Sequence, residues 1–236
     1  MCLLVDPSKD SGSPRRRTAS QQGLPLHPPW RRGLPDNNRN LHRAHEACYD
    51  FTIATIFIFH GVGGSPEENW FPWLAAELRS RGHRVIVPAF PHADHPDLSQ
   101  WLEHFKQYRS DVDSETIFVG HSLGGAFALR FLERMDTVIH AAFLVASVWG
   151  VMDKTFDPLM TTFTRSPYDW DRIRQHCGQF SVIHADNDPY IRLDLARDLA
   201  AHLGSTVTLV TGGGHLNAAA GYREFPLLLK EIEALL

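Results

Sequence analysis

The stretch Thr116-Ile117-Phe118-Val119-Gly120-His121-Ser122-Leu123-Gly124-Gly125 decides the fold. It begins as a run of β-branched and aromatic residues, which is typical of a buried strand, and passes into the pattern G-x-S-x-G. A helical pattern, Ala126 to Arg134, follows. A strand, a tight turn and a helix in this order predict a nucleophile elbow, in which Gly120 and Gly124 leave room for a projecting Ser122. Ser122 is therefore the predicted nucleophile.

Short apolar runs recur on both sides of this motif. Their hydrophobicity is continuous rather than alternating, which indicates a parallel sheet covered by helices on both faces. The predicted strands are Thr55–Phe59, Arg84–Pro88, Thr116–Val119, Ala141–Ala146, Phe180–His184 and Thr206–Val210. The predicted helices are Trp70–Arg81, Leu98–Arg109, Gly125–Arg134, Leu193–Leu203 and Arg223–Leu235. The predicted fold class is α/β.

Two parts of the chain lie outside this alternation. Residues 1–50 are rich in Pro, Arg, Ser, Asn and Gly and lack a sustained apolar period, so we expect a disordered extension before a domain of residues 51–236. Residues 147–177 contain Pro158, Pro167 and clustered aromatic residues, and they show no regular helical period. This segment lies where hydrolases with such an elbow insert a lid, and its shortness predicts little or no lid.

Composition narrows the class of protein. The 236 residues include 23 Lys and Arg against 27 Asp and Glu, and the excess of acidic residues falls after residue 50. An acidic domain without a recognition motif argues against nucleic-acid binding, and no apolar run is long enough for a membrane span. The three cysteines, Cys2, Cys48 and Cys177, are too scattered for a disulfide framework. We expect a cytoplasmic protein with a small-molecule partner and no nucleic-acid or membrane partner.

A serine hydroxyl needs a base to remove its proton and a carboxylate to orient that base. In folds with this elbow the acid and then the base follow the serine, in loops after later strands. His215 follows the last predicted strand and the run Gly212–Gly214, and it is the predicted base. Asp188 is the predicted acid because it lies deeper in its loop, and Asp186 in the same loop is the alternative.

The negative oxygen of a tetrahedral intermediate is best met by main-chain N–H groups that are already in place. Leu123, directly after the nucleophile, is one predicted donor. The second is expected in the glycine-rich loop of residues 60–66, with Val62 favoured and Gly63 next. We expect His60 to be a structural part of this loop and His121 to point away from the nucleophile.

The remaining motifs give no cofactor or metal site. The glycine loop fails the dinucleotide pattern G-x-G-x-x-G because Pro66 occupies a glycine position. His92, Asp94 and His95 have ligand chemistry, but their proline-flanked position favours an exposed loop over a metal site. The aromatic residues at positions 70, 71 and 73 are interpreted as core or helix anchors, with the wall of an acyl pocket as the alternative.

These motifs together resemble the small, nearly lidless serine hydrolases typified by retinoblastoma-binding protein nine. The resemblance covers about residues 53–236. It rests on His60-Gly61-x-Gly63-Gly64, Trp73, Trp101, Gly120-His121-Ser122-x-Gly124, Phe163-Thr164-Arg165, Trp170, Asp188-Pro189 and Gly214-His215. It implies a six-stranded, mostly parallel sheet of the α/β-hydrolase fold, a triad of Ser122, Asp188 and His215, and hydrolysis of small acyl esters or amides.

The chain also departs from the family pattern. Residues 1–50 look foreign to it, and the sequence Leu-x-Cys-x-Glu, which is associated with retinoblastoma binding, is absent. We therefore do not expect that partner. The leading hypothesis is a serine hydrolase that forms an acyl-enzyme. The alternatives are a non-catalytic interaction protein on a hydrolase fold, and an acyltransferase that uses an alcohol, amine or thiol in place of water.

Overall fold

The computed structural model describes residues 53–152 and 156–236, and within them six strands form one sheet. The strands are β1 Thr55–Phe59, β2 Arg84–Ile86, β3 Ile117–His121, β4 Ile139–Val145, β5 Cys177–Ala185 and β6 Val207–Val210. Their order is β2-β1-β3-β4-β5-β6, and every neighbouring pair is parallel. The prediction of a six-stranded α/β fold is confirmed. The predicted extension of residues 1–50 lies outside the described residues.

Helices cover both faces of this sheet. They are α1 Phe71–Ser80, α2 Leu98–Phe105, α3 Leu123–Leu132, α4 Asp157–Thr164, α5 Trp170–Gln175, α6 Leu193–His202 and α7 Pro226–Glu233. Helices α1 and α7 pack on one face, and α2 to α6 pack on the other. The predicted helix at Leu98–Arg109 is divided, because a 3₁₀ helix at Lys106–Asp111 follows α2.

Strand β1 shows why the apolar runs are continuous. Its residues alternate between the two faces, so Phe57 and Phe59 join the core beneath α2 and α3. Ile56 and Ile58 join the core beneath α1 and α7. All four side chains are fully buried. A strand covered on both sides has no polar face, and this explains its sequence.

Arg130, on helix α3, forms hydrogen bonds to the segment between β4 and β5. Its Nε–H donates to the main-chain oxygen of Phe163 at 2.7 Å, and an Nη donates to that of Pro167 at 3.1 Å. The guanidinium also pairs with Glu133 at 2.9 Å and lies 3.5 Å above the ring of Tyr168. Only 3% of the Arg130 side chain is exposed. A buried charge with this many partners fixes the position of α4 relative to α3.

The loops that carry the predicted site all leave one edge of the sheet. Because the strands are parallel, their carboxyl ends face the same way. The glycine loop follows β1, Ser122 follows β3, Asp188 follows β5 and His215 follows β6. Residues far apart in the chain therefore meet at this edge.

Candidate active site

Ser122 occupies a strained turn between β3 and α3. Its backbone has φ 55° and ψ −121°, a region that residues with a side chain rarely adopt. The Ser122 N–H donates to the main-chain oxygen of Val145 at 3.0 Å. The main-chain oxygen of Ser122 accepts from Gly125 N–H at 3.1 Å and from Val148 N–H at 3.3 Å. The end of β4 and the residues after it therefore hold the turn in place.

Close contacts leave no room for a side chain at the glycines of the elbow. A Cβ on Gly124 would lie 2.2 Å from the main-chain oxygen of Phe59, and one on Gly120 would lie 2.5 Å from the Cα of Gly125. A Cβ on Gly61 would lie 2.9 Å from the Cβ of Ser122. The loop after β1 thus lies directly against the residue that is the predicted nucleophile.

The structure brings Asp188 and His215 into direct contact. Asp188 Oδ2 lies 2.8 Å from His215 Nδ1, while Oδ1 accepts from the N–H groups of Tyr190 at 2.8 Å and Ile191 at 3.1 Å. Burial raises the pKa of the Asp188 carboxyl, but the hydrogen bond and charge of His215 and the two main-chain donors outweigh it, so the pKa is lowered overall. The ionised carboxylate accepts a hydrogen bond from Nδ1–H of His215, so in the neutral imidazole Nε2 is the nitrogen without a proton.

Asp186, the alternative acid, has a different contact. Its Oδ1 accepts from the N–H of Gly212 at 2.8 Å, and the residue is exposed. It thereby holds the turn that precedes His215. Asp188, and not Asp186, is the carboxylate that touches the imidazole.

Two buried groups hold the backbone beside the imidazole. His121 Nε2 lies 3.0 Å from the main-chain oxygen of His215, and Trp70 Nε1–H donates to that of Leu216 at 2.9 Å. Burial, followed by the charge of His215, lowers the pKa of His121 to about 3. The sequence predicts that His121 points away from the nucleophile; its Nε2 contacts the His215 main chain, and the residue also borders the cavity that Ser122 lines. Sequence reasoning missed this contact, because nothing local in the chain indicates a partner 94 residues away.

His184, at the end of β5, is a second residue that the sequence did not single out. Its Nε2–H donates to the main-chain oxygen of Ile191 at 3.0 Å and lies 3.9 Å from Asp188 Oδ2. The side chain is fully buried, and burial lowers its pKa. His184 therefore closes the turn that presents Asp188.

His60 is occupied by the glycine loop. Its Nδ1–H donates to the oxygen of Gly61 at 2.9 Å, and its Nε2 accepts from the N–H of Phe90 at 3.2 Å. Burial lowers the pKa of His60, in agreement with a neutral ring that uses one nitrogen as donor and the other as acceptor. With both nitrogens engaged, His60 has the structural role that its position suggests.

The two candidates for the second oxyanion donor differ in their contacts. The N–H of Gly63 donates to the Ala93 oxygen at 2.7 Å, whereas that of Val62 has no acceptor among the described residues. Leu123 is the first residue of α3, where an N–H has no acceptor within the helix. Val62 and Leu123 therefore keep their amides available, and Gly63 does not.

Ser122 and His215 border one cavity of about 260 Å³. Five of its apolar lining residues, which we call the apolar side, are Val148, Met152, Phe156, Met160 and Ile191. Its polar side includes Glu68, Asn69 and Asn217. Trp70, Phe71 and Trp73 do not line it, and the first two are fully buried, so they are core anchors rather than a wall of the pocket.

Across residues 53–152 and 156–236, no three His, Cys, Asp or Glu side chains converge as metal ligands would. The helices in this part of the chain are also too short or too polar for any of them to cross a bilayer.

The sheet order, the elbow and the loops at its edge define an α/β-hydrolase. The sequence profile of the serine hydrolase family matches residues 56–234, and the chain belongs to that family. The YdeN protein of Bacillus subtilis (strain 168) is 25% identical over 173 residues, which are 73% of this chain and 91% of YdeN. Serine hydrolase RBBP9 of Rattus norvegicus is 24% identical over 186 residues, which are 78% of this chain and 96% of RBBP9.

The crystal structure of the ydeN gene product from B. subtilis has the same fold. It superimposes with a TM-score of 0.74 at 25% identity, over 77% of this chain and 98% of that one. The resemblance inferred from the motifs is thus confirmed at the level of family and fold.

Proposed function

We propose that the protein hydrolyses small acyl esters or amides through an acyl-enzyme formed on Ser122, with His215 as base and Asp188 as acid. The observation that carries the proposal is the 2.8 Å contact between Asp188 Oδ2 and His215 Nδ1, at a cavity that Ser122 also borders. Membership of the serine hydrolase family supports hydrolysis as the reaction type.

In the first half of the reaction, His215 Nε2 takes the proton of Ser122 as Oγ attacks the substrate carbonyl. The carbonyl oxygen becomes negative, and the free N–H groups of Val62 and Leu123 stabilise it. The intermediate then collapses, the bond to the leaving group breaks, and His215 gives its proton to the departing oxygen or nitrogen. Asp188 stays ionised and stabilises the imidazolium throughout.

In the second half, water takes the place of the leaving group. His215 removes a proton from the water, the resulting oxygen attacks the acyl carbon, and the proton returns to Ser122 as the acid departs. These steps need no cofactor. The three scattered cysteines favour a reducing compartment, and we therefore assign the activity to the cytoplasm.

A fluorophosphonate probe tests the nucleophile, because it reacts covalently with an activated serine. We expect the wild type to be labelled and Ser122→Ala to remain unlabelled, with circular dichroism showing that both are folded. His215→Ala is expected to lose most of its labelling rate. A folded wild type that resists the probe would refute the proposal.

The two aspartates provide a matched pair for the acid. Asp188→Asn should lower kcat on a p-nitrophenyl ester by roughly 10³- to 10⁴-fold, since the neutral amide no longer selects the required imidazole tautomer. Asp186→Asn keeps an oxygen that can accept from Gly212 N–H and should retain most activity. The opposite ranking would show that the acid is Asp186.

A further inference from the structure

We propose that the cavity selects esters of a short apolar acid with a polyhydroxy alcohol, such as glycerol or a sugar. The inference rests on the proposed hydrolase function and adds the substrate class. Its basis is the presence of both apolar and polar side chains in the lining of the cavity that Ser122 and His215 border.

The apolar side suits an acyl chain of limited length. Val148 brings the apolar side next to the nucleophile, because its N–H donates to the main-chain oxygen of Ser122 at 3.3 Å. Met152 and Met160 continue it, and both are almost fully buried. The whole cavity of about 260 Å³ is smaller than the roughly 300–1,000 Å³ typical of pockets for drug-sized ligands. A short chain fits this space.

The polar side presents hydrogen-bond donors of known identity. Asn69 Oδ1 accepts from the N–H of Ala218 at 2.9 Å, and Asn217 Oδ1 accepts from that of Ala220 at 3.0 Å. Since each amide oxygen is engaged by a main-chain donor, the other end of each side chain must be the NH₂ group. Among the described residues neither NH₂ group has an acceptor. A ligand that carries oxygen acceptors would give both NH₂ groups a hydrogen-bond partner.

The polar side adjoins the loop that carries His215, and we therefore place the leaving group there. His215 has to reach the departing oxygen to protonate it, and Asn217 is two residues further along the same loop. Asn69 holds that loop through Ala218, and the exposed carboxylate of Glu68 borders the same cavity. A hydroxyl both donates and accepts, so an alcohol with several hydroxyls can satisfy two amide donors and a carboxylate together. A simple alkyl group offers them no hydrogen-bond partner.

Glyceryl monobutyrate and propyl butyrate test the leaving group, because they share the acyl chain and a three-carbon alcohol. We expect the wild type to show a kcat/KM roughly tenfold higher for the glyceryl ester. Asn69→Asp, Asn217→Asp and Glu68→Gln should each lower the ratio of the two kcat/KM values by roughly three- to tenfold. Asn69→Asp and Asn217→Asp keep an oxygen that can accept from the N–H groups of Ala218 and Ala220, so these two hydrogen bonds are retained.

Asn187→Asp is the matched control. Asn187 Oδ1 accepts from the N–H of Gly214 at 2.8 Å, and the residue lies outside the cavity lining. The ratio of the two kcat/KM values in Asn187→Asp should equal that of the wild type. A wild-type ratio near one, or equal losses in Asn187→Asp and the cavity variants, overturns the inference. An enzyme that the probe labels but that cleaves neither ester overturns it while leaving the nucleophile intact, whereas absence of labelling overturns the proposed function as well.

Discussion

The Nε2–H of His121 donates to the main-chain oxygen of His215 across 3.0 Å, and the two ring centroids are 4.9 Å apart. The residue directly before the predicted nucleophile thus positions the predicted base. Burial lowers the pKa of His121 to about 3, so the ring is neutral at physiological pH. A neutral ring here adds no positive charge beside the imidazolium that forms during the proposed reaction.

This pKa predicts acid sensitivity. His121 in the unfolded chain takes up a proton below about pH 6.5, whereas in the folded state it does so only near pH 3. The unfolded state therefore binds more protons in this window, and stability falls as the pH falls from 6.5 towards 3. His121→Gln keeps an N–H donor without a titrating ring. Urea unfolding at several pH values should show a shallower fall for this variant, and equal slopes would contradict the assignment.

The elbow predicts a sharp contrast between two glycines. Gly124→Ala should abolish probe labelling and destabilise the fold, because its Cβ would lie 2.2 Å from the Phe59 oxygen. Gly150→Ala is the control, since no atom lies within 4 Å of its Cβ position. Labelling rates and thermal unfolding of both variants measure the difference. Normal labelling of Gly124→Ala would mean that the turn is less tightly packed than the structure shows.

Arg130 is predicted to contribute strongly to stability. Arg130→Met removes the donors to Phe163 and Pro167 and leaves Glu133 buried with fewer partners, which should cost about 3 kcal/mol in the free energy of unfolding. Arg134→Met breaks an ion pair to the same glutamate from an exposed position and should cost less than about 1 kcal/mol. Urea denaturation of the two variants measures both values, and equal losses would refute a special role for Arg130.

Met160 is predicted to limit the acyl chain. Its side chain is almost fully buried on α4 and lines the cavity, so Met160→Ala should lengthen the space available. We expect the preferred p-nitrophenyl ester to shift from a short to a longer acyl chain. Leu159→Ala shortens a neighbouring side chain that packs against the core outside the cavity lining. If Leu159→Ala shifted the preferred acyl-chain length by a similar amount, the change would reflect general loosening of α4 and not the space left by Met160.

The fold could be predicted from the sequence because its strands have a distinctive pattern. Residues 55–59 are apolar throughout, since both faces of β1 are covered, and the predicted bounds match the observed ones. Strand β5 was predicted too short, as Phe180–His184, because Gly178 and Gln179 interrupt the apolar run. Backbone pairing with β4 extends the strand through those residues regardless of their polarity.

Helices α4 and α5 were not predicted. They are eight and six residues long, too short for a periodic pattern to be distinguished from irregular chain. In the sequence Pro158 favours irregular chain, yet it occupies the first turn of α4, where a missing N–H costs nothing. The side of the cavity that α4 supplies, including Met160, was therefore not predicted from the sequence.

The candidate site was predictable where it depends on order along the chain, and not where it depends on contacts. Ser122, Asp188 and His215 were selected from motif and chain order, and the structure places the last two in contact. The choice of Val62 over Gly63 has a contact to support it only in the structure, through the bond from Gly63 to Ala93. Such a bond between two loops leaves no periodic trace in the sequence.

The hydrogen bonds of the Ser122 peptide have a consequence for the origin of catalytic power. This peptide bonds to Val145 on one side and to Val148 on the other, so its unusual backbone angles are maintained by the same network that joins β3 to β4. The free-energy cost of these strained angles is therefore offset during folding, and it does not arise again with each substrate molecule. The turn that presents Ser122 is therefore in place before any substrate binds, and substrate binding energy remains free for selecting the substrate.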